Sequence, residues 1–319
     1  MTDTATVTVI VPGFNVAAWA GQALESLVTQ TFPNWTALLI DDASTDSTGA
    51  VFAEAAVRDS RFRVLTHPDQ RGLGAARNTG LDQVTTRYLA FLDADDVYTP
   101  HALTSWLASI EQSGSDFVVG AYRRLRLDAA GSHNLGAVQP WVRAATCPAR
   151  CGTTLAEHPE ASGNIVAWSK LSRTGFWRAA RLRFPEGSWY EDQIVAQQMY
   201  TAATRFDVIS EVVAHWRVRA DGTSITQRTN DLTVLRDYLN AIRAGLAVLD
   251  RSGHVEAALV RVGLIASLDL PPLIAQAHSH DDDHYRAELG AFARDILARS
   301  DASHIPIELT RGITDIARW

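Results

Sequence analysis

Residues 88–96 read YLAFLDADD. A strand-like apolar run, 88–91, passes within one residue into three carboxylates, Asp93, Asp95 and Asp96. An aspartate after a strand is commonly just the cap of the next helix. That accounts for one carboxylate, not for three packed into DADD. Two aspartates one residue apart can face one cavity where the backbone turns. Hard cations such as Mg²⁺ and Mn²⁺ favour carboxylate oxygens and complete their shells with substrate phosphates. The stretch therefore suits a metal that bridges protein and diphosphate, provided the surrounding fold supplies a cleft.

The flanking sequence predicts such a cleft. VTVIVPG (7–13) is a β-branched run ending in Pro-Gly, and TALLIDD (36–42) is a second strand that also ends in acid. RFRVLTH (61–67) reads as a third strand. Between them AAWAGQALESLVTQ (17–30) and STDSTGAVFAEAAVRD (44–59) carry helical spacing, the latter behind capping residues. GLGAARNTGLDQV (72–84) is a Gly-rich entry into a helix. After DADD come a helix in PHALTSWLASIEQSG (100–114) and a strand in DFVVGAYRRLRL (116–127). This alternation predicts an α/β fold, Rossmann-like, with a mostly parallel sheet and helices on both faces. Ligands of such sheets bind at the carboxyl ends of strands, near the topological switch point. Pro12-Gly13, Asp41-Asp42 and the DADD turn lie at such ends.

The segment 128–190 is less regular. WYEDQIVAQQMYTAA (189–203) reads as a helix starting at an acidic pair, and RFDVISEVVAHWRVR (205–219) as one or two strands. Composition shifts near 228. The remainder is helical, with Pro271-Pro272 expected to break one helix from the next. The expected organisation is an α/β domain over 1–228 and a C-terminal helical appendage over 229–319.

The 319 residues are 46% hydrophobic with a formal net charge of -7, which favours a sizeable core and disfavours a nucleic-acid coat. Two cysteines, Cys147 and Cys151, are too few for a disulfide framework and point to a reducing compartment. The start has no basic segment ahead of an apolar core, so no signal peptide is expected. No stretch is expected to approach the ~20 apolar residues of a membrane helix. A soluble, cytoplasmic protein follows, compatible with peripheral work at the inner face of a membrane. HSHDDDH (278–284) is read as a polar loop leading into a helix, not as a metal site.

Taken together, VTVIVPGFN, LESLVTQTFPNWTALLIDDASTDST, RGLGAARNTG and YLAFLDADD resemble the inverting family-2 glycosyltransferases of GT-A fold. Their blocks run in the same order over roughly 5–225. Gly13, Phe14 and Ala43 depart from the commoner residues. Ala43, where Gly is usual, is mild if its φ is negative. The resemblance implies that Pro12 and Phe14 wall a nucleobase pocket and that Asp42 accepts a hydrogen bond from the base. It implies that Arg77 helps hold the nucleotide; taken alone, Arg77 reads as a surface helix arginine. Asp93 would contact ribose or a metal-bound water, Asp95 would ligate Mn²⁺ or Mg²⁺, and Asp96 would support the donor sugar or the metal shell.

An inverting transfer also needs a base for the acceptor hydroxyl. Glu191 and Asp192 alone read as ordinary first-turn acids. The strings WSKLSR (168–173) and FPEG (184–187) ahead of them match the family's acceptor-side block. The resemblance then makes Asp192 the general base and Glu191 either an acceptor-orienting residue or one that supports the base from behind. HWRVRADGTSIT (215–226) resembles the segment closing over the diphosphate, so Arg217, Arg219 and Ser224 are candidate phosphate contacts and His215 a candidate metal ligand. Trp168 and Trp189 are weighed as acceptor stacking faces against ordinary core tryptophans.

The implied donor is a nucleotide-sugar, UDP-linked, and the acceptor a glycan or a wall or capsule polymer of teichoic-acid type. The helical tail is a candidate for oligomerisation or acceptor docking. A nucleotidyltransferase would carry a Gly-rich, Lys- or Arg-bearing loop after the first strand, which VPGFNVAAWAGQ lacks. A non-catalytic scaffold of a polymer-synthesis complex would not be expected to keep both Asp95 and Asp192.

Overall fold

The computed structural model describes residues 5–127, 133–219, 229–299 and 305–319. The first half alternates β1 (Val7–Gly13), α1 (Ala17–Val28), β2 (Trp35–Asp41), α2 (Thr48–Arg58), β3 (Phe62–Thr66), α3 (Leu73–Gln83) and β4 (Tyr88–Phe91). Then come β5 (Val97–Tyr98), α4 (Ala102–Ser113), β6 (Phe117–Leu127), β7 (His133–Leu135), α5 (Pro140–Thr146) and β8 (Arg150–Thr153). Two 3₁₀ turns lead into β9 (Lys170–Arg173), α6 (Thr174–Ala179), α7 (Asp192–Ala202) and β10 (Phe206–Arg217).

The strands form one sheet in the order β3-β2-β1-β4-β9-β6-β10-β5, with β7 on β6 and β8 on β10. β3, β2, β1 and β4 are mutually parallel, as are β6 and β10. β9 runs antiparallel between β4 and β6, so the sheet is mixed. Order reverses at β1, which has β2 on one side and β4 on the other. That switch point opens a crevice at the carboxyl ends of β1, β2 and β4.

The period-2 alternation of the strands builds a core on each face. Val7, Val9 and Val11 pack with Leu24, Leu27 and Phe52 of α1 and α2. Ile10, Leu38 and Ile40 face the other way, towards Ala76 of α3 and Val195 and Met199 of α7. α3 packs tightly, because a Cβ at Gly74 would stand 2.0 Å from the Pro185 carbonyl oxygen. The Gly-rich entry thus lets this helix approach the FPEG segment.

The C-terminal region holds α8 (Leu232–Arg251), α9 (Val255–Leu264), α10 (Leu270–His278), α11 (Asp283–Arg299) and α12 (Ile307–Ile316) around their own core, with Leu239, Ile265, Phe292 and Ile313 buried in it. It is not packed separately: Leu249 of α8 and Ala257 and Ala258 of α9 belong to the sheet's second core.

Two expectations need correction here. Pro271-Pro272 does not break the chain. Val255–His278 is one continuous 24-residue helix, with a π-helical turn at Ile265–Asp269 just before the prolines. The wider turn accommodates residues that cannot donate an amide. An 18-residue stretch of this helix has a mean hydropathy of 1.6, so the helix is also long and apolar enough to cross a membrane by length and composition, contrary to the expectation that none would be. Its Val262, Ile265, Ala266, Leu270 and Leu273 face the helical core. The 278–284 loop is closed internally: the His280 ring stacks on Tyr285 at 4.2 Å.

Gly74→Ala is expected to lower stability by about 1–3 kcal/mol, because the new methyl meets a backbone carbonyl that cannot rotate away. Urea unfolding measures it; a midpoint equal to the wild type contradicts the close approach.

Candidate active site

Phe14 follows β1 and is exposed at the crevice mouth, whereas Pro12 is buried within the strand. The adjoining loop is tied to them. Asn15, at φ +51°, accepts at Oδ1 from the amides of Thr45 (2.8 Å) and Asp46 (3.2 Å). Ala43 has φ +59°, so the expected mild departure is a strained one. An alanine in the left-handed region costs ~1–2 kcal/mol where glycine would not.

Asp42 is buried. It meets His67 Nδ1 at 2.6 Å and accepts from the amides of Arg71 (2.9 Å) and Gly72 (2.7 Å). These contacts fix the loop that enters α3. A carboxylate has about four acceptor positions, so one remains open on Asp42.

Arg77 is not a surface residue. It is only 1% exposed and joins two acidic segments. One guanidinium nitrogen donates to Asp93 at 2.6 Å, the other to Glu191. Its neighbour Asn78 donates to the Phe184 carbonyl (2.8 Å) and accepts from the Phe184 amide (3.0 Å). The Arg-Asn pair on α3 therefore binds the end of β4 to the start of α7.

Arg217 and Arg219, at and just beyond the end of β10, hold the DADD turn. The Arg217 amide donates to Asp96 at 2.8 Å, and its Nε to the Asp95 carbonyl at 2.7 Å. Arg219 pairs with the Asp95 carboxylate at 2.8 Å and lies 4.2 Å over the Trp19 ring. Burial raises the pKa of Asp95, with Arg219 opposing and Asp93 adding. Burial and the charges of Asp95 and Asp93 raise Asp96 further.

Glu191 and Asp192 stand at the start of α7. Burial pushes Glu191 up to about 7 against the pull of Arg77. Asp192 is the more exposed of the two, and makes no ion pair among the described residues. Its pKa is raised by burial, with Arg77 opposing and Asp93 adding. Behind it Lys170, one residue after Ser169 of WSKLSR, donates from Nζ to the carbonyls of Asn164 (2.8 Å) and Val166 (2.7 Å) and to Asn164 Oδ1 (3.0 Å). Burial lowers Lys170 to about 7, with Asp192 opposing. Three acceptors match the three protons of an ammonium, so we assign the charged form. The cleft thus places the acidic turn between β4 and β5 and the acidic start of α7 around a common arginine.

Residues 8–134 match the model of glycosyl transferase family 2. The chain carries a glycosyltransferase family 2 domain. It is 28% identical over 223 residues to glycosyltransferase GlyA of Streptococcus pneumoniae, covering 68% of this chain and 31% of that protein. It is 30% identical over 122 residues to the putative teichuronic acid biosynthesis glycosyltransferase TuaG of Bacillus subtilis, covering 38% of this chain and 48% of TuaG. The chain therefore spans less than half the length of either relative. Among solved structures, S. aureus TarS 1-349 in complex with UDP superposes with a TM-score of 0.76 at 20% identity, covering 98% of this chain and 87% of the other. The fold is GT-A-like, C-terminal helices included.

The acidic turn fits a hard dication in charge, since burial, with the neighbouring carboxylates adding, raises both Asp95 and Asp96. Among the described residues no group of three or more His, Cys, Asp or Glu side chains is arranged to enclose an ion. The donor set therefore suits an ion held by one or two carboxylates and completed by phosphate oxygens, not a cage built by protein alone. His215 sits beside Arg123 on the neighbouring strand, and burial with that positive charge lowers its pKa. It has no bond to Asp95 among the described residues. Ser224 lies outside the described residues. Trp168 is core, packed edge-on against Tyr122 at 4.8 Å, whereas Trp189 is half-buried beside the acidic pair.

Sequence reasoning passed over Asn78, His67 and Arg71 as site residues, and it quoted Lys170 only as part of a string. The signal for Asn78 and Arg71 was present in RGLGAARNTG, where small residues surround two that need partners.

Arg77→Met should cost about 3–5 kcal/mol, because Glu191 and Asp93 lose a buried counter-charge. Denaturant unfolding with circular dichroism measures it. A loss below about 1 kcal/mol would mean that the bridge is not formed.

Proposed function

We propose that the protein is a metal-dependent, inverting glycosyltransferase that moves a sugar from a UDP-sugar to a hydroxyl of a wall- or capsule-type glycan polymer, working in the cytoplasm at the inner face of the membrane. The observation that carries this reading is the Arg77 bridge, which sets the DADD turn and the Glu191-Asp192 pair across one cleft. UDP is favoured because TarS holds UDP in the same fold. A wall polymer is favoured because TuaG is described by teichuronic acid biosynthesis.

In this reading Phe14 offers a ring face to the base, and Asp42 uses its remaining acceptor position for a base N–H. Asp95 and Asp96 would hold the divalent ion, which when bound supplies positive charge for the departing diphosphate. Asp192 takes the proton of the acceptor hydroxyl. The oxygen attacks the anomeric carbon from the face opposite the diphosphate, the sugar–phosphate bond breaks, and the configuration inverts. Glu191, held by Arg77, orients the acceptor. Asp192 is favoured over Glu191 as base because its carboxylate is the one left without an ion pair.

Asp192→Asn is expected to leave UDP affinity within about twofold while lowering transfer by about 10²–10⁴-fold. Asp95→Ala should abolish the Mn²⁺ dependence of UDP binding. Calorimetry with UDP and Mn²⁺, together with turnover of a UDP-sugar panel, checks both. Normal transfer by Asp192→Asn removes it from the mechanism.

The base must be ionised to work, and its pKa is raised. Activity is therefore lost on acidification at a higher pH than an ordinary aspartate would show. A kcat/KM profile whose acid limb lies at or below the usual aspartate value of about 3.9 would contradict this assignment.

A further inference from the structure

The segment carrying Glu191 and Asp192 is gripped on both flanks by the C-terminal helices. On the upstream side the Trp189 amide donates to Asp237 of α8 at 3.3 Å. Tyr190 takes φ +61°, an outlier for a bulky residue. Its ring packs on Tyr238 of α8 with centroids 4.4 Å apart. The Tyr238 hydroxyl in turn donates to Asp269 at 2.7 Å, and Asp269 closes the π-helical turn. On the downstream side Gln193 Oε1 accepts from Arg261 of α9 at 3.3 Å, both side chains being buried. α8 crosses so near that a Cβ at Gly245 would stand 3.3 Å from the Gln193 carbonyl oxygen.

A left-handed bulky residue persists only where its surroundings over-determine it, and such strain concentrates at functional sites. Here the Tyr238 ring supplies the constraint. Reversing the chain at Tyr190 turns Glu191 inward to Arg77 and starts α7 at Asp192. The π turn has a matching role. It ends at Asp269, whose carboxylate accepts from the Tyr238 hydroxyl.

We propose that the C-terminal helical region is part of the catalytic unit, with Tyr238 and Arg261 acting as positioning residues that clamp residues 190 and 193 and so fix the Glu191-Asp192 pair between them. This rests on the assignment of Asp192 as base. It gives the helices a role in the reaction itself, beyond tethering or assembly.

The test uses the full chain, with UDP-N-acetylglucosamine and Mn²⁺ as the hydrolysis probe and UDP as the binding probe. Tyr238→Ala should lower kcat for hydrolysis by about 10²-fold, as expected for a misplaced catalytic group, with donor KM and UDP Kd within about twofold of wild type. Tyr238→Phe keeps the ring and should recover most of the rate. Arg318→Ala, in the exposed Arg318–Asp315 pair of the same region, should change nothing. Hydrogen exchange gives a readout independent of turnover. Amides of 187–194 should exchange at least about tenfold faster in Tyr238→Ala, while those of 72–84 stay as in wild type. Arg261→Gln, which loosens the other flank, should show the same pattern and serves if Tyr238→Ala does not fold. Unchanged hydrolysis and unchanged exchange in a folded variant overturn the proposal. If the wild type fails to hydrolyse the probe, the donor reading is at fault, and the exchange result still decides whether the clamp exists.

Discussion

The buried guanidinium of Arg77 is the constraint around which the cleft is arranged. A charge taken out of water must be matched closely or the fold loses several kcal/mol. Arg77 finds its match in Asp93 and Glu191, far apart in sequence, and so draws the end of β4 and the start of α7 to opposite sides of one helix. The small residues before it, Gly74, Ala75 and Ala76, are buried too, which lets α3 lie close enough for the arginine to reach both. Among the described residues the cations facing Asp93, Asp95, Asp96, Glu191 and Asp192 are Arg77, Arg217, Arg219 and Lys170. Burial first, and the neighbouring carboxylates after it, raise Asp95, Asp96, Glu191 and Asp192.

How far this could be read from sequence depends on whether the signal was local. β1 to β4 and their helices each carry their own period, so the parallel half of the sheet follows from alternation. β5, β8 and β9 are two to four residues long and pair antiparallel with strands distant in sequence. All three are too short to show a period, and β8 and β9 left 128–190 looking irregular. Arg77 was visible as a basic residue in a Gly-rich helix, but burial on every side is a property of packing and has no sequence period. The φ of Ala43 was likewise set by the loop around Asn15 and not by its own preference. Pro271-Pro272 gave the usual signal for a helix end, and a π turn absorbed it.

The C-terminal helices show the same limit. Their amphipathic patterns predict a helical region, and one is present. Nothing in those patterns says that Leu249, Ala257 and Ala258 complete the core under α7, or that α8 reaches the acidic pair. A boundary drawn where composition changes, near 228, marks a change of secondary structure. The packing crosses it.

The two acidic ends of the cleft are held differently, and the difference suits the proposed chemistry. Glu191 is locked by a buried arginine, and Lys170 is locked behind Asp192 by three carbonyl oxygens, so the acceptor end is rigid. At the donor end the clamps are Arg217, buried at the tip of a strand, and Arg219, half-buried just beyond it. A guanidinium binds phosphate with the same forked geometry as carboxylate. On the proposed reading a diphosphate can therefore take over contacts that Asp95 and the nearby backbone now make, without leaving a cation unpaired at any stage. The sequence-based assignment of these arginines to phosphate and their observed place on the DADD turn then describe two partners of one pair of side chains. What makes the exchange affordable is that Asp95 already sits among like charges and gains from any cation brought with the ligand.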